Sequence, residues 1–393
     1  MLQAATPSAL ATRAEQLIRS GDKQGALQAL SMASGAQTAS AAAEDQIGFL
    51  FAVLGRQDDA IAHFQKSLQL DGGFAAAHYH LGVALWLKGD INNSVPELQE
   101  AVRLAPKVFD YRYRLGSAYQ ETGHNAEALV QLKEAVALNA SNPKTWSALG
   151  QAMKNSKDLA GAVDAYHRAV TLDPKDDRAR MAYGSMLIET RLPDQAIKEF
   201  EKILRHDPSN SAVRVNIGYA HLKKGEFELA IKAFTEAIEK DPRSAAAHYD
   251  LGIALKQKDD LDRAQKEFEE SIHLDPSIPE AHYTLGITRW QLGDFNGATE
   301  QMRAAIAIRP DYAEAHYMLG TTLKQSGKAN EAIPELREAI RLDPSTPGPY
   351  NTLGQILRIK GDKKGSEELF AKAAKLKRDT EAHLAHALEQ GMK

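Results

Sequence analysis

Four histidines occur in the same short phrase of the sequence, Ala-His-Tyr, and histidine is the side chain that most often binds a metal ion or acts as a general base. They are His78, His248, His282 and His316. Ligands of one metal ion must surround one point, whereas these residues belong to separate helices of a repeated pattern, and packed helices are roughly 8–10 Å apart. We therefore interpret the histidines as packing residues and predict no metal site.

Other patterns that mark catalysis are missing from the sequence. It contains no Gly-x-x-x-x-Gly-Lys-Ser/Thr, no His-Glu-x-x-His and no Gly-x-Ser-x-Gly, the patterns of phosphate-binding loops, zinc proteases and serine hydrolases. It has no cysteine, so thiolate chemistry and disulfides are excluded. Neighbouring carboxylates such as Glu269 and Glu270 are typical of a solvated helix surface. We predict no catalytic residue and no cofactor, and hence a protein that is not an enzyme.

The charge balance indicates which partners the protein does not attract. Its 48 lysines and arginines and 52 aspartates and glutamates give a net charge of −4, so no strong field draws nucleic acid or an anionic membrane. No apolar run approaches the roughly 18 residues that a membrane span requires. We predict a protein that neither binds nucleic acid nor inserts into a membrane.

The first residues of the sequence leave two compartments open. Met1–Ala11 lacks the basic and apolar parts of a signal peptide, which favours the cytoplasm. The alternative is a periplasmic or secreted protein whose signal peptide has been removed, because such removal can also leave a start rich in Ala, Thr and Ser. The absence of cysteine gives no information on the redox state of the compartment.

A 34-residue repeat organises nearly the whole sequence. Steps of 34 residues connect ten glycines: Gly48, Gly82, Gly116, Gly150, Gly184, Gly218, Gly252, Gly286, Gly320 and Gly354. With this glycine at place eight, eleven repeats begin at residues 7, 41, 75, 109, 143, 177, 211, 245, 279, 313 and 347. Place 20 is always Ala or Ser, and seven repeats have Pro at place 32. An unbroken period of this length is typical of proteins whose repeats stack on one another.

Each repeat is predicted to form two helices, A and B. Apolar residues recur three and four residues apart on both sides of a break such as Lys88-Gly89-Asp90. Glycine at the break permits the left-handed conformation that ends helix A. Because Lys157 and Arg191 stand there in two repeats, we expect those turns to differ in geometry. Small residues at places eight and 20 let the two helices approach closely.

One repeat displays the whole pattern, and the residues that carry it are Trp146, Leu149, Gly150, Ala162, Tyr166, Ala169 and Pro174. This pattern resembles the tetratricopeptide repeat. The resemblance covers residues 7–380 and implies an all-α fold, a right-handed α-solenoid (superhelix) of about eleven 34-residue helix-turn-helix repeats. Helix A would line the inner face and helix B the outer face. Residues 1–6 would form an N-terminal tail and residues 381–393 a C-terminal capping helix.

The resemblance also implies that a ligand binds the inner face, which consists of places two, five, nine, 12 and 13 of each helix A. We call this surface the groove face. Aromatic rings and cations are the anchors that interfaces use, and we select ten on this face: Tyr79, Trp86, Tyr113, Tyr219, Lys223, Tyr249, Lys256, Tyr283, Trp290 and Tyr317. In the alternative interpretation, a tyrosine at place five packs against the next helix A and contributes only to stability.

Charge on the groove face is uneven. Lys144, Lys154 and Arg178 add positive charge to the middle repeats, so an extended segment with acidic residues would suit them. The clamp for a C-terminal carboxylate that one class of these proteins carries is not present. Arg114 is the only arginine at place six, and its repeat has Asp110 at place two.

The sequence therefore predicts a non-enzymatic protein–protein interaction scaffold that binds an extended peptide or a partner helix in the groove. Two alternatives stay open. The chain is the repeat region of a larger enzyme or envelope-assembly protein in the first, and a scaffold that associates with itself in the second.

Overall fold

The computed structural model describes residues 6–35 and 40–391, and the side chains of residues 384–391 lie outside this description. The described residues form 22 α-helices and no β-strand. They divide into two compact units, Met1–Leu192 and Pro193–Lys393, which we call the N-terminal unit and the C-terminal unit. Within each unit, helices that are consecutive in sequence pack side by side, which is the arrangement of an α-solenoid.

The N-terminal unit contains helices α1 to α11, of which odd numbers are helices A and even numbers are helices B. Their bounds are α1 (Pro7–Arg19), α2 (Lys23–Ser34), α3 (Ala41–Val53), α4 (Gln57–Leu70), α5 (Ala75–Leu87), α6 (Ile91–Leu104), α7 (Phe109–Glu121), α8 (Asn125–Leu138), α9 (Pro143–Asn155), α10 (Leu159–Leu172) and α11 (Asp177–Glu189). Of the predicted tail, residues 1–6, only Thr6 is described, and its side chain caps α1.

The C-terminal unit contains helices α12 to α22. Their bounds are α12 (Pro193–Leu204), α13 (Ser211–Lys224), α14 (Phe227–Lys240), α15 (Ala245–Gln257), α16 (Leu261–Leu274), α17 (Pro279–Gln291), α18 (Phe295–Ile308), α19 (Ala313–Gln325), α20 (Ala329–Leu342), α21 (Pro347–Ile359) and α22 (Lys363–Gly391). Every helix A in both units begins at the predicted first residue of its repeat, so the predicted phase is confirmed.

Helices A form the more closely spaced row in each unit. α3 contacts α5 and α5 contacts α7 in the N-terminal unit, and α13 contacts α15 and α19 contacts α21 in the C-terminal unit. Among the described helices, no two successive helices B approach each other to this extent. The row of helices A is therefore the inner side of each unit, and the groove face lies on it.

Glycine at place eight makes room for a large side chain of helix B. A Cβ atom added to Gly82 would lie 2.8 Å from Leu98 Cγ, and one added to Gly218 would lie 2.6 Å from Phe234 Cε1. Both of these helix B side chains are fully buried. A larger residue at place eight would push the helices apart. The predicted close approach is confirmed, and the partner of the glycine is the residue at place 24 as well as the small residue at place 20.

The turn between helices A and B has the same left-handed geometry whether or not glycine is present. Gly89 and Gly225 have φ angles of 82° and 74°, and Lys157 and Arg191 have φ angles of 63° and 62°. The expectation that lysine and arginine would change these turns is wrong. At Lys157 the packing of α9 against α10 fixes the turn, so the side chain adopts a conformation that costs free energy. Asp259 does the same with φ 61°.

The residue at place four of helix A ties each repeat to the loop before it. In eight repeats its N–H or O–H group donates a hydrogen bond to the backbone carbonyl six residues earlier. The pairs, donor first, are His78–Gly72, Arg112–Pro106, Trp146–Ala140, Arg180–Pro174, His248–Pro242, His282–Pro276, His316–Pro310 and Tyr350–Pro344. The place accepts four residue types because each supplies a donor at a similar reach. The four recurring histidines hold the fold in this way.

The last helix is longer than predicted. α22 begins at Lys363 as helix B of the eleventh repeat and continues to Gly391 without a break. The segment predicted as a separate capping helix, residues 381–393, is therefore helical as far as Gly391 but is continuous with helix B. The predicted cover over the end of the stack depends on side chains that lie outside the described residues.

Candidate interaction surface

In the N-terminal unit, the predicted aromatic residues of the groove face contact the next repeat. Tyr79 stacks on Tyr111, with ring centroids 4.6 Å apart. The guanidinium group of Arg114 lies 4.7 Å from the centre of the Trp86 ring, and Trp86 Nε1 donates a hydrogen bond to Glu121 over 2.7 Å. Both rings are half-buried. They support the stack and still present one side to solvent.

The predicted tyrosines of the C-terminal unit pack in a similar way. Tyr283 lies against Tyr312, with ring centroids 5.0 Å apart. Tyr317 packs against the backbone of Gly348 in the next helix A. The Tyr249 hydroxyl is 3.5 Å from a threonine hydroxyl of α17. Burial raises the pKa of Tyr249 and of Tyr283. These contacts are the ones that the stability interpretation of place five expects.

Three further predicted residues, Trp290, Tyr219 and Lys223, differ in their exposure to solvent. Trp290 is half-buried, and its Nε1 donates a hydrogen bond to Gln325 over 2.5 Å, which repeats the bond of Trp86 to place 13 of the next helix A. Tyr219 is exposed, and Nζ of Lys223 on the same helix lies 4.8 Å from the centre of its ring. Tyr219 and Lys223 are therefore accessible on the groove face.

Two charged groups of α15 are partly buried without a partner. Burial raises the pKa of Asp250 to about 6 and lowers the pKa of Lys256. Neither side chain forms a hydrogen bond or an ion pair with another described residue. Asp250 occupies place six and Lys256 place 12, so they lie on different sides of the helix and do not neutralise each other. Lys256 was predicted as a groove residue, and Asp250 was not.

Three apolar residues of the N-terminal unit are exposed on the groove face and were missed by the sequence analysis. Phe49, Val53 and Leu87 have 47%, 52% and 57% of their surface exposed. They occupy places nine and 13 of α3 and α5. The predicted places include these positions, but tyrosine and tryptophan are commoner at interfaces than phenylalanine, valine and leucine, so the sequence favoured the former.

A cavity of about 540 Å³ opens on the groove face farther along the N-terminal unit. It lies between α7, α9 and α11, with α10 beneath it. Its walls carry hydroxyl, amide and cationic groups, including Tyr113, Ser147, Lys144 and Arg178. Tyr113, a predicted groove residue, is half-buried there, next to Phe109 at a ring-centroid distance of 5.9 Å.

A buried polar network joins helices α2, α3 and α4 of the N-terminal unit. Glu44 is fully buried, and its carboxylate contacts His63 Nδ1 at 2.7 Å and Lys66 Nζ at 2.5 Å. His63 Nε2 is 2.8 Å from the hydroxyl of Ser34. The order serine, histidine, carboxylate is that of a hydrolase triad. Ser34 is the last residue of α2, however, and the negative end of a helix dipole opposes the oxyanion that such chemistry develops. We interpret the network as a tie between α2, α3 and α4.

Neither a cluster of metal-binding side chains nor a membrane-spanning helix occurs in the described part of the chain. Within residues 6–35 and 40–391, no group of three or more histidines and carboxylates is placed to hold a metal ion. No helix among the described segments has both the length and the apolar character that a membrane crossing requires.

The sequence matches known families over most of its length. Residues 48–109, 215–277, 249–313, 283–347 and 317–380 match the family described as tetratricopeptide repeat. These segments together cover more than half of the chain. Residues 125–243 match the family described as the tetratricopeptide domain of cytochrome c-type biogenesis protein H. No curated protein matches the sequence.

Solved structures show the same fold. A tetratricopeptide repeat protein from Parabacteroides merdae has 16% identity and a TM-score of 0.55, covering 63% of this chain and 98% of its own. Yeast Tom70 has 15% identity and a TM-score of 0.50, covering 98% of this chain and 96% of its own. MamA has 25% identity and a TM-score of 0.41, covering 42% of this chain and 97% of its own. With its eleven two-helix repeats in one phase, the chain belongs to the tetratricopeptide repeat family.

Proposed function

We propose that the protein is a non-enzymatic scaffold that binds an extended segment of a partner protein along the groove face. The observation that carries this proposal is the exposure of apolar side chains on that face: Phe49, Val53 and Leu87 in the N-terminal unit and Tyr219 and Ile359 in the C-terminal unit. When a partner covers apolar surface that is exposed to water, the removal of this surface from water contributes favourably to the free energy of binding. Membership of a repeat family whose fold is generally an interaction scaffold supports the same function.

An extended segment also needs partners for its backbone. Place nine carries Ser117 on α7 and Gln151 on α9. Their own donors are bonded to the Tyr113 carbonyl and to Asn155 Oδ1, so each side chain offers a ligand an acceptor oxygen. Both residues line the cavity of the N-terminal unit. A partner helix satisfies its own backbone hydrogen bonds and would leave these groups unused. The polar side chains therefore favour the extended segment over the helix.

The test is selection of displayed random peptides of about 12 residues on the full-length protein, followed by calorimetry with Leu87→Ser and Val130→Ser. Leu87 is 57% exposed on helix A, and Val130 is 56% exposed on helix B of the same unit, so the two changes are matched in exposure and chemistry. We expect Leu87→Ser to weaken a selected peptide about fivefold or more and Val130→Ser to leave it unchanged. The reverse result would move the binding surface to the outer face. Light scattering over a concentration series tests self-association separately.

A second candidate function rests on the match of residues 125–243 to a domain of cytochrome c-type biogenesis protein H. In this function the scaffold serves the assembly of another protein, outside the cytoplasm if the periplasmic alternative holds. Deletion of the gene, with haem staining of c-type cytochromes, tests it. Loss of stained cytochromes would support the assembly function, and normal staining would exclude it. Fractionation of cells with a tagged chain determines the compartment.

A further inference from the structure

The cavity of the N-terminal unit exists because one repeat lacks a large side chain at place five. Tyr113 fills that place in α7, but α9 has Ser147 there. The space left above the serine is lined from both sides and has a volume of about 540 Å³. It is polar, so water or a polar group of a ligand occupies it.

The floor of the cavity is a buried and oriented hydroxyl group. Tyr166 of α10 is only 2% exposed, and its ring packs against Gly150, where an added Cβ would lie 3.0 Å away. Its hydroxyl donates a hydrogen bond to Gln151 Oε1 over 3.1 Å. Gln120 on the opposite wall is held by a 3.0 Å bond from its Nε2 to the carbonyl of Ala148. The polar lining is therefore fixed before a ligand arrives, which reduces the entropy cost of binding.

The rim of the cavity carries two cations without partners. Lys144 on α9 and Arg178 on α11 are exposed, and neither forms an ion pair or hydrogen bond with another described residue. The nearby carboxylate of Asp176 already accepts a hydrogen bond from Ala179 N–H over 2.9 Å and caps α11. By contrast, Lys154 on the same helix as Lys144 is paired with a glutamate at 2.9 Å. The two cations and one carboxylate leave the cavity with one net positive charge.

We propose that this cavity holds the side-chain carboxylate of an aspartate or glutamate in the extended segment of the partner. The inference rests on the proposed function, which supplies the segment. A carboxylate brings one negative charge and oxygens that accept from the Lys144 ammonium and the Arg178 guanidinium. A phosphate group would bring nearly two negative charges to a site with one net positive charge.

The exposed apolar residues of the same unit set the spacing of the partner segment. Leu87 lies on α5, and Lys144 lies on α9, two helices A farther along. Helices A in contact are about 10 Å apart, which gives roughly 20 Å across the two steps. Leu87 lies at place 13 and Lys144 at place two, so roughly 16 Å also separates them along the helix axes, and the direct distance is about 26 Å. An extended chain covers that distance with about eight residues. The partner segment should therefore carry an apolar residue about eight positions from its acidic residue.

The test compares peptides of about 12 residues selected by the full-length wild type with those selected by a Lys144→Glu, Arg178→Glu double variant. We expect aspartate and glutamate to be enriched by the wild type and the enrichment to disappear with the variant. The matched control is the Lys133→Glu, Arg168→Glu double variant, which makes the same charge change at exposed positions of α8 and α10. It should keep the enrichment. Circular dichroism during heating verifies that all variants fold.

Fluorescence anisotropy with one selected peptide then isolates the contact. The double variant should bind it at least about tenfold more weakly than the wild type does. Replacing the acidic residue of the peptide by its amide should have the same effect on the wild type. The two changes combined should cost no more than either alone, because they remove the same interaction.

Three results would overturn the inference. Acid-free peptides that bind the wild type and the double variant equally would remove the carboxylate from the cavity and leave the proposed function intact. Peptides that bind only when phosphorylated would replace the carboxylate by a phosphate. Failure of the wild type to select any peptide would refute the proposed function, and the cavity inference with it.

Discussion

The two units use the same place of helix A for different purposes. In the C-terminal unit, place five carries tyrosine in three consecutive repeats, Tyr249, Tyr283 and Tyr317, and a cavity lined by Tyr317 has only about 30 Å³. In the N-terminal unit, Ser147 at that place leaves about 540 Å³. The difference shows that one position of the repeat either fills the space between helices A or opens it. We infer that tyrosine at place five stabilises the row of helices A in both units and that Ser147 opens the N-terminal row for recognition.

Charge separates the units as well. The N-terminal cavity presents two exposed cations, Lys144 and Arg178. The C-terminal unit contains Asp250 and Lys256, both partly buried. Burial raises the pKa of Asp250 to about 6 and lowers the pKa of Lys256, which favours the neutral form of each. The charge of Asp250 therefore changes near pH 6.

The largest expected effect is on the free energy of unfolding, when a tyrosine at place five of the C-terminal unit is replaced by a small residue. Tyr283→Ser should lower the free energy of unfolding by about 2–3 kcal/mol, because it leaves a gap beside Tyr312 that the helices cannot close. The control is Tyr219→Ser, which alters an exposed tyrosine of the same unit and should cost less than about 0.5 kcal/mol. Urea unfolding is followed by the fluorescence of Trp290, with the other two tryptophans replaced by phenylalanine. Equal losses in the two variants would contradict the stabilising role of place five.

The second prediction concerns a large side chain introduced at place five of α9, where the N-terminal unit has Ser147. Ser147→Tyr should give the N-terminal unit the aromatic place five of the C-terminal unit and occupy the cavity. An acidic peptide should then bind about tenfold more weakly, which corresponds to about 1.4 kcal/mol. Ser147→Ala, which keeps the space and removes only a hydroxyl, should bind within about twofold of the wild type. Anisotropy measures both. Unchanged binding by the tyrosine variant would place the acidic residue elsewhere.

The sequence predicts the fold of this protein nearly completely and its site only in part. The 34-residue period fixes every helix A, since glycine at place eight and a small residue at place 20 are demanded by packing that is the same in every repeat. The turns at Lys157 and Arg191 were predicted wrongly, since both residues adopt the left-handed conformation that glycine has in other turns. At Lys157 the contact of α9 with α10 outweighs local preference. The length of α22 was also not predicted, since nothing in the pattern distinguishes a new helix from a continued one.

The N-terminal cavity results from a small side chain at place five of α9, and the lack of a large side chain gives no distinct signal in the sequence. Ser147 reads as an ordinary polar residue until the structure shows the space above it. Phe49 occupies place nine, which is half-buried in most other repeats, so its exposure depends on neighbours that the repeat pattern does not describe. Leu87 occupies place 13, which is exposed in every repeat, so the pattern alone could have indicated its exposure. The aromatic residues were easier to select, but most of them proved to contact the next helix A.

The third prediction concerns the shifted carboxylate of the C-terminal unit. Burial raises the pKa of Asp250 to about 6 from its ordinary value of 3.8, so the folded protein holds this proton more tightly than the unfolded chain does. The contribution of the protonated group to stability is complete below about pH 4 and is lost as the pH rises through about 6. Asp250→Asn should therefore gain about 1 kcal/mol at neutral pH, allowing for partial exposure, and nothing at about pH 4. Urea midpoints at both pH values test this, and an equal gain at both would contradict it.

The smallest expected effect compares the strained turns of the two units. Lys157 in the N-terminal unit and Asp259 in the C-terminal unit occupy the same place with φ angles of 63° and 61°. Aspartate tolerates the left-handed conformation better than lysine, because its short side chain bonds locally to the backbone. Glycine removes the strain but also makes the unfolded chain more flexible, so only part of the gain remains. We expect Lys157→Gly to stabilise its unit by about 0.5 kcal/mol and Asp259→Gly to change its unit by less than half of that. Urea unfolding followed by Trp146 for the first variant and by Trp290 for the second, each as the only tryptophan, measures the two effects separately. A larger gain for Asp259→Gly would show that packing, and not residue type, determines the strain in these turns.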